Sequence, residues 1–182
     1  MKILALETSA VTASVAITED EKLLGQSFQN SGLTHSVTLM PMVTQLLDNV
    51  GLTLHDIDVV AVAAGPGSFT GVRIGVAAAK GLAWPDGKPC APCSTLESMA
   101  WQCAHMEGEI CAVMDARRNQ VYAARFLAQN GTLTRLSEDA AIGLDQLAEE
   151  LEKSSNAKFL VGDGASLCYN FLKERGISAT MM

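Results

Sequence analysis

One pattern of periodicity runs twice along this chain: three strand-like segments, a helix, a strand and a helix. In the first pass, residues 3–6, 13–17 and 23–28 read as strands. The acidic turn Glu19 to Lys22 joins the last two, which suggests an antiparallel meander. The period then changes to three or four at Leu33, Val37, Met40, Val43, Leu47 and Val50, predicting a helix over 34–49. Thr34 or Ser36 can cap it, Gly51 can end it, and Pro41 should bend it or mark its true first turn. The nearly continuous apolar run 57–64 suits a buried parallel strand. A glycine-rich block, 65–75, leads into a small-residue helix ending near Trp84. A short strand at 89–92 follows, then a helix over 94–104 in which Ser94 and Glu97 match a capping box. The second pass has strands at 110–115, 120–126 and, after the turn signal Asn130-Gly131, 132–136. Leu144, Leu147, Ala148 and Leu151 mark a helix, 158–161 a strand and 167–175 a last helix. The expected organisation is an α/β chain of two units, 1–105 and 106–182, sharing architecture but not residues. Six residues follow Gly176, so the second unit reads as incomplete, with no counterpart for the first unit's final strand and helix.

Composition limits what such a chain can do. At 48% hydrophobic and 18% charged it has ample material for a core, which excludes an intrinsically disordered chain. The formal net charge is −7. Residues 1–105 hold five Lys/Arg against nine Asp/Glu, and 106–182 hold eight against eleven. A protein that grips nucleic acid unaided needs a cationic surface, and here only Arg117-Arg118 stand together. Autonomous nucleic-acid binding is disfavoured; a role beside a basic partner is not. No apolar run reaches the ~18 residues of a membrane span, and the apolar start is too short for a signal peptide, so the cytoplasm is the expected compartment. Cys90-Ala91-Pro92-Cys93 would need a strand–CxxC–helix setting to act as a redox pair. A zinc site would need a second matching pair, which Cys103, Cys111 and Cys168 do not supply. Small apolar thiols in or near a core strand end are the preferred reading.

A duplicated βββαβαβα plan is that of the actin-like, sugar-kinase-like ATPase superfamily, built from two ribonuclease-H-like units. Within it the sequence resembles the bacterial TsaB (YeaZ) family, accessory proteins in making threonylcarbamoyladenosine beside the tRNA anticodon. The resemblance rests on Ile3-Leu4-Ala5-Leu6-Glu7-Thr8-Ser9, on Thr34-His35-Ser36 with Leu39 and Pro41, and on the block Gly65-Pro66-Gly67-Ser68-Phe69-Thr70-Gly71-Val72-Arg73-Ile74-Gly75. Ser94-Thr95-Leu96-Glu97 and Met114-Asp115-Ala116-Arg117 with Val121-Tyr122 continue it in order. It implies a non-catalytic partner that docks on the TsaD catalytic subunit, helps recruit the TsaE ATPase and pairs with itself when alone. Contact with tRNA would be indirect, and no membrane is involved. No catalytic residue, metal or cofactor is expected. The alternative is an enzyme of the same superfamily, a weak nucleotide-binding ATPase or a protease.

Residue by residue, the motifs favour the scaffold. The glycine block lacks a Gly-Lys-Ser/Thr ending, and Gly65-x-Gly67-x-x-x-Gly71 misses the dinucleotide fingerprint. Gly65 and Gly67 would give a tight turn, and Ser68 or Thr70 a helix cap. Gly71, Gly75 and Ala79 would clear one helix face for tight core packing or a subunit contact. Thr8 and Ser9 stand where the superfamily's first phosphate loop lies, without its glycine. Gly162 and Gly164 resemble its adenosine loop, and these four are weak nucleotide-binding candidates. The second phosphate loop would fall at Asp115-Ala116-Arg117-Arg118, where bulky side chains replace glycine. The metal-binding histidines of TsaD would align with Thr95 and Met99, neither a plausible ligand. His35 is expected to pack and hydrogen-bond at its helix start. The first helix carries apolar residues around more than one face, which implies burial by the sheet and by something else. The expected partner interface is therefore Val37, Met40, Val43 and Leu47 with Gly71, Val72, Gly75, Val76 and Ala79. Gly75→Trp or Val76→Glu should then break a complex without unfolding the monomer. Self-association through the apolar edges of the shortened second unit is a further expectation.

Overall fold

The computed structural model describes Met1–Met182. The chain divides into two compact units, Met1–Thr95 and Leu96–Met182. The division falls at the start of the helix after the fifth strand, not after residue 105. One reason is that Glu97 of that helix is held within the second unit by Arg135, at 2.6 Å.

The first unit runs β1 (Lys2–Glu7), β2 (Ala13–Glu19), β3 (Lys22–Gln29), α1 (His35–Val50), β4 (Val59–Ala63), α2 (Phe69–Ala83) and β5 (Cys90–Cys93), leading into α3 (Thr95–Trp101). Its sheet has the order β3-β2-β1-β4-β5. The meander pairs antiparallel, with Leu6 opposite Val15, and β4 joins β1 in parallel, with Leu4 opposite Val60. Side chains alternate across a strand, so Leu4, Leu6, Val15, Ile17, Val60 and Val62 share one face. That face meets Leu39, Met42, Val43 and Leu46 of α1 and Ala79 and Ala83 of α2 in one core. Helix α1 runs unbroken through Pro41, which lies exposed, and ends at Gly51 in the left-handed conformation, φ 70°. Thr34 stands at the N-cap of α1 without a side-chain capping bond.

The second unit repeats the plan: β6 (Gly108–Arg117), β7 (Gln120–Gln129), β8 (Thr132–Arg135), β9 (Ala140–Gly143), α4 (Leu144–Glu152), β10 (Lys158–Val161), α5 (Ala165–Glu174) and β11 (Thr180–Met181). The sheet order is β11-β10-β6-β7-β8, the same sequence of pairings as in the first unit, with β9 added beside β7. Two features escaped the sequence reading. Strand β9 is too short to show a period. Strand β11, two residues pairing in parallel with β10, is the counterpart of β5, so the final strand is represented after all. No helix follows it within the 182 residues. The core joins Cys111, Val113, Val121, Leu147, Leu151, Leu160 and Leu172. At its edge Glu109, 1% exposed, pairs with Arg125 at 3.0 Å, and Arg125 also reaches Glu150 at 3.2 Å. No helix is long and apolar enough to cross a membrane.

Candidate functional site

The glycine block has a clear physical task in the first unit. The chain leaving β1 turns at Thr8-Ser9, which are fully buried. Thr8 Oγ1 donates to the Gly71 carbonyl at 2.8 Å, and the Ser68 amide donates to the Ser9 carbonyl at 2.6 Å. Ser68 also caps α2, its hydroxyl accepting from the Gly71 amide at 3.3 Å. A Cβ on Gly67 would sit 2.5 Å from the Ser9 carbonyl oxygen. A Cβ on Gly71 would run into the Thr8 carbonyl, and one on Gly75 into the Thr8 hydroxyl. The small face of α2 therefore receives the β1–β2 turn of its own unit.

This overturns part of the expected interface. Gly71, Gly75 and Ala79 are buried against their own sheet, and Val43 and Leu47 of α1 lie in the same unit's core. None of the five presents a surface to a partner. Gly75→Trp would force an indole into the Thr8 hydroxyl, so it cannot leave the monomer folded. Val72 and Val76 are half-buried on the flank of α2. Val37 and Met40 do face outward, at 62% and 42% exposed.

The nucleotide candidates fare similarly. Thr8 and Ser9 are buried, and the turn that would admit a phosphate is filled by the start of α2. In the second unit, a Cβ on Gly162 would strike the Val113 carbonyl, and one on Gly164 would lie 3.0 Å from the Met114 carbonyl carbon. These glycines seat the loop after β10 on the end of β6. Thr95 is buried with no hydrogen-bond partner for its hydroxyl, and the Met99 sulfur lies against Gly162. No group of three or more His, Cys, Asp or Glu side chains is placed to hold a metal ion. His35 Nε2 lies 2.8 Å from the Ala10 carbonyl and fastens the start of α1 to the β1–β2 turn.

Cys90 and Cys93 are both exposed and lie on edge strand β5 rather than in a core. Three residues apart on a strand, they point to opposite faces. Cys103, Cys111 and Cys168 are buried. Burial raises the Cys111 thiol pKa and pushes that of Cys168 up to about 11, so neither offers a thiolate near neutral pH.

What remains is a surface. The His35–Ala10 and Ser68–Ser9 contacts bring the starts of α1 and α2 to one turn. Around it stand exposed apolar side chains: Val11 on the turn, Leu33 and Val37 at the start of α1, and Phe69 at the start of α2, all at least 60% exposed. Met40 continues the α1 stripe, since residues three and four apart share a helix face. Arg73 lies over the Phe69 ring, 4.2 Å from its centroid. The Leu33 and Val37 signal was legible in the helix period. Val11 and Phe69 were not, because only folding brings their loops beside α1.

Comparison with known proteins fits this geometry. Residues 28–174 match the family model described as "TsaD: tRNA N6-adenosine threonylcarbamoyltransferase". A Bacillus subtilis protein named tRNA threonylcarbamoyladenosine biosynthesis protein TsaB is 36% identical over 167 residues, covering 92% of this chain and 73% of the relative. The chain belongs to the TsaB (YeaZ) family. The solved YeaZ from Pseudomonas aeruginosa superposes with a TM-score of 0.84 at 26% identity, covering all of this chain and 83% of that one. A ROK hexokinase from Thermus thermophilus, at 11% identity and a TM-score of 0.50, covers all of this chain and 92% of its own. That likeness concerns the fold alone and agrees with the sugar-kinase-like architecture of this TsaB-family chain.

Proposed function

We propose that this TsaB-family chain serves tRNA threonylcarbamoyladenosine biosynthesis as a non-catalytic partner subunit. The apolar surface of its first unit docks on the TsaD catalytic subunit and supports it, and the complex helps recruit the TsaE ATPase. Without TsaD, a second copy of the chain covers the same surface. One observation carries this reading: α1 is apolar on its core side and again, through Val37 and Met40, on its outward side, with Leu33 exposed just before its start. Full burial of an exposed Val, Leu or Met contributes about 1.5–3 kcal/mol; these side chains, 42% to 62% exposed, would gain a fraction of that each, so several together account for a stable contact. The filled turn at Thr8-Ser9 and the filled glycine loop at Gly162 to Gly164 support a role without nucleotide chemistry.

The test uses Val37→Glu combined with Met40→Glu. The wild-type chain should co-elute with TsaD and stimulate its threonylcarbamoyl transfer; the double variant should stay folded and do neither. A wild-type chain that leaves transfer unchanged and fails to co-elute would sink the proposal. Calorimetry with Mg and ATP at millimolar concentration separates the enzyme alternative, since measurable heat with turnover would favour it.

A further inference from the structure

The β6–β7 hairpin of the second unit turns on Arg117, Arg118 and Asn119, at φ 66°, 53° and 59°. The left-handed region crowds Cβ against the backbone, and Asn or Asp tolerate it better than longer side chains. Two other hairpin turns follow that preference, with Asp20 between β2 and β3 and Asn130-Gly131 between β7 and β8. Only this turn places two arginines there. Two hydrogen bonds hold its base. The Asp115 amide donates to Asp163 Oδ1 at 3.2 Å, and Asp115 Oδ1 accepts from the Arg117 amide at 2.7 Å. The ladder shifts register at the same point, between Asp115 and Arg117. The Asp115 carboxylate thus accepts a bond from backbone and makes no ion pair with either guanidinium. Arg125, Arg135 and Arg175 of this unit each pair with a carboxylate. Arg117 and Arg118 are exposed and make no ion pair.

We propose that this hairpin is a recognition element in which Arg117 and Arg118 bind a short acidic segment of a protein partner through its carboxylates. A guanidinium matches a carboxylate with two parallel hydrogen bonds. A turn already held in its strained form gives up little freedom on binding. Nucleic acid fits less well. Two cations neutralise few of the phosphates of a nucleic acid, whereas two carboxylates are enough to engage both guanidiniums. The inference rests on the partner-subunit reading only in requiring a protein partner. Its test uses a peptide, so failure here leaves the α1 surface untouched, and the reverse holds.

The experiment is an amide NMR titration of the full chain with a glutamate peptide of roughly ten residues, a single-stranded RNA of similar length, and inorganic phosphate. Each is run at about 50 mM and about 500 mM NaCl, which brackets strong and weak screening. The peptide should shift the amides of residues 115–120 at low salt and not at high salt. Arg117→Glu with Arg118→Glu should weaken it about tenfold or more. Arg118→Gly should raise Tm by relieving the left-handed strain and still weaken the peptide, which a purely structural residue would not do. Absent shifts, shifts that survive the charge reversal, an Arg118→Gly variant that binds like wild type, or a stronger response to RNA or phosphate would each overturn the proposal.

Discussion

Helices α1 and α4 occupy the same topological position in the two units, between the meander and its parallel strand, yet they treat their outer faces differently. Helix α4 buries Leu144, Leu147, Ala148 and Leu151 and turns Asp145, Gln146, Glu149 and Glu152 to the outside. Helix α1 buries Leu39, Met42, Val43, Leu46 and Leu47 and still exposes Val37 and Met40. A helix needs one apolar stripe to join its core. The second stripe on α1 does nothing for its own unit, which separates a demand of folding from one of association. The first turns of the two meanders differ in the same spirit. The β1–β2 turn is drawn into the fold under α2, whereas the β6–β7 turn projects its arginines.

The comparison can be broken most severely at the buried turn. Gly75→Trp should abolish folding, and Gly71→Ala, whose methyl meets the Thr8 carbonyl, should cost about 3 kcal/mol or more in urea denaturation. A Gly71→Ala chain of wild-type stability would show that the seam is loose. Next comes the ion pair of the second unit. Arg125→Ala strands Glu109, 1% exposed, and should cost about 3–5 kcal/mol by the same measurement.

The outer helix faces sharpen the contrast further. Val37→Glu with Met40→Glu should weaken the TsaD complex by about 2–4 kcal/mol with little change in Tm. Charge-altering changes at Glu149 on α4 should leave the complex alone, and equal effects at both helices would dissolve the distinction. The smallest effect belongs to Asp86, whose pKa is lowered by the hydrogen bond from Lys88 and by His55. A carboxylate depressed on folding stabilises above its unfolded pKa of about 3.9, and that stabilisation is lost as pH falls through the lower folded value. Asp86→Asn should therefore slightly lower Tm at neutral pH, and the difference should vanish in strong acid. A gap that persists below about pH 2 would assign the effect to something other than charge.

Much of the architecture was legible because it depends on local period. The meanders, the helix at His35–Val50 and the apolar strand at Val59–Ala63 announce themselves through spacings of two or of three and four. The Ser68 cap and the Gly51 stop were also visible, since capping chemistry is local. Strand β9, strand β11 and the unit boundary were not, because short pairings leave no period and a boundary depends on which contacts close. The interface reading failed in part for a related reason. Gly71, Gly75 and Ala79 form a small-residue stripe that suits a core seam and a partner equally well, and only the position of Thr8 decides between them.

The order of residues, by itself, determined that this chain makes a repeated α/β plan with an apolar surplus on α1, since hydrophobic spacing is written along one dimension. Only the tertiary structure decided which apolar and small residues are consumed inside and which are left facing water. Burial is a relation between segments distant in the chain, and Thr8 meeting Gly71 across 63 positions cannot be read from either one alone.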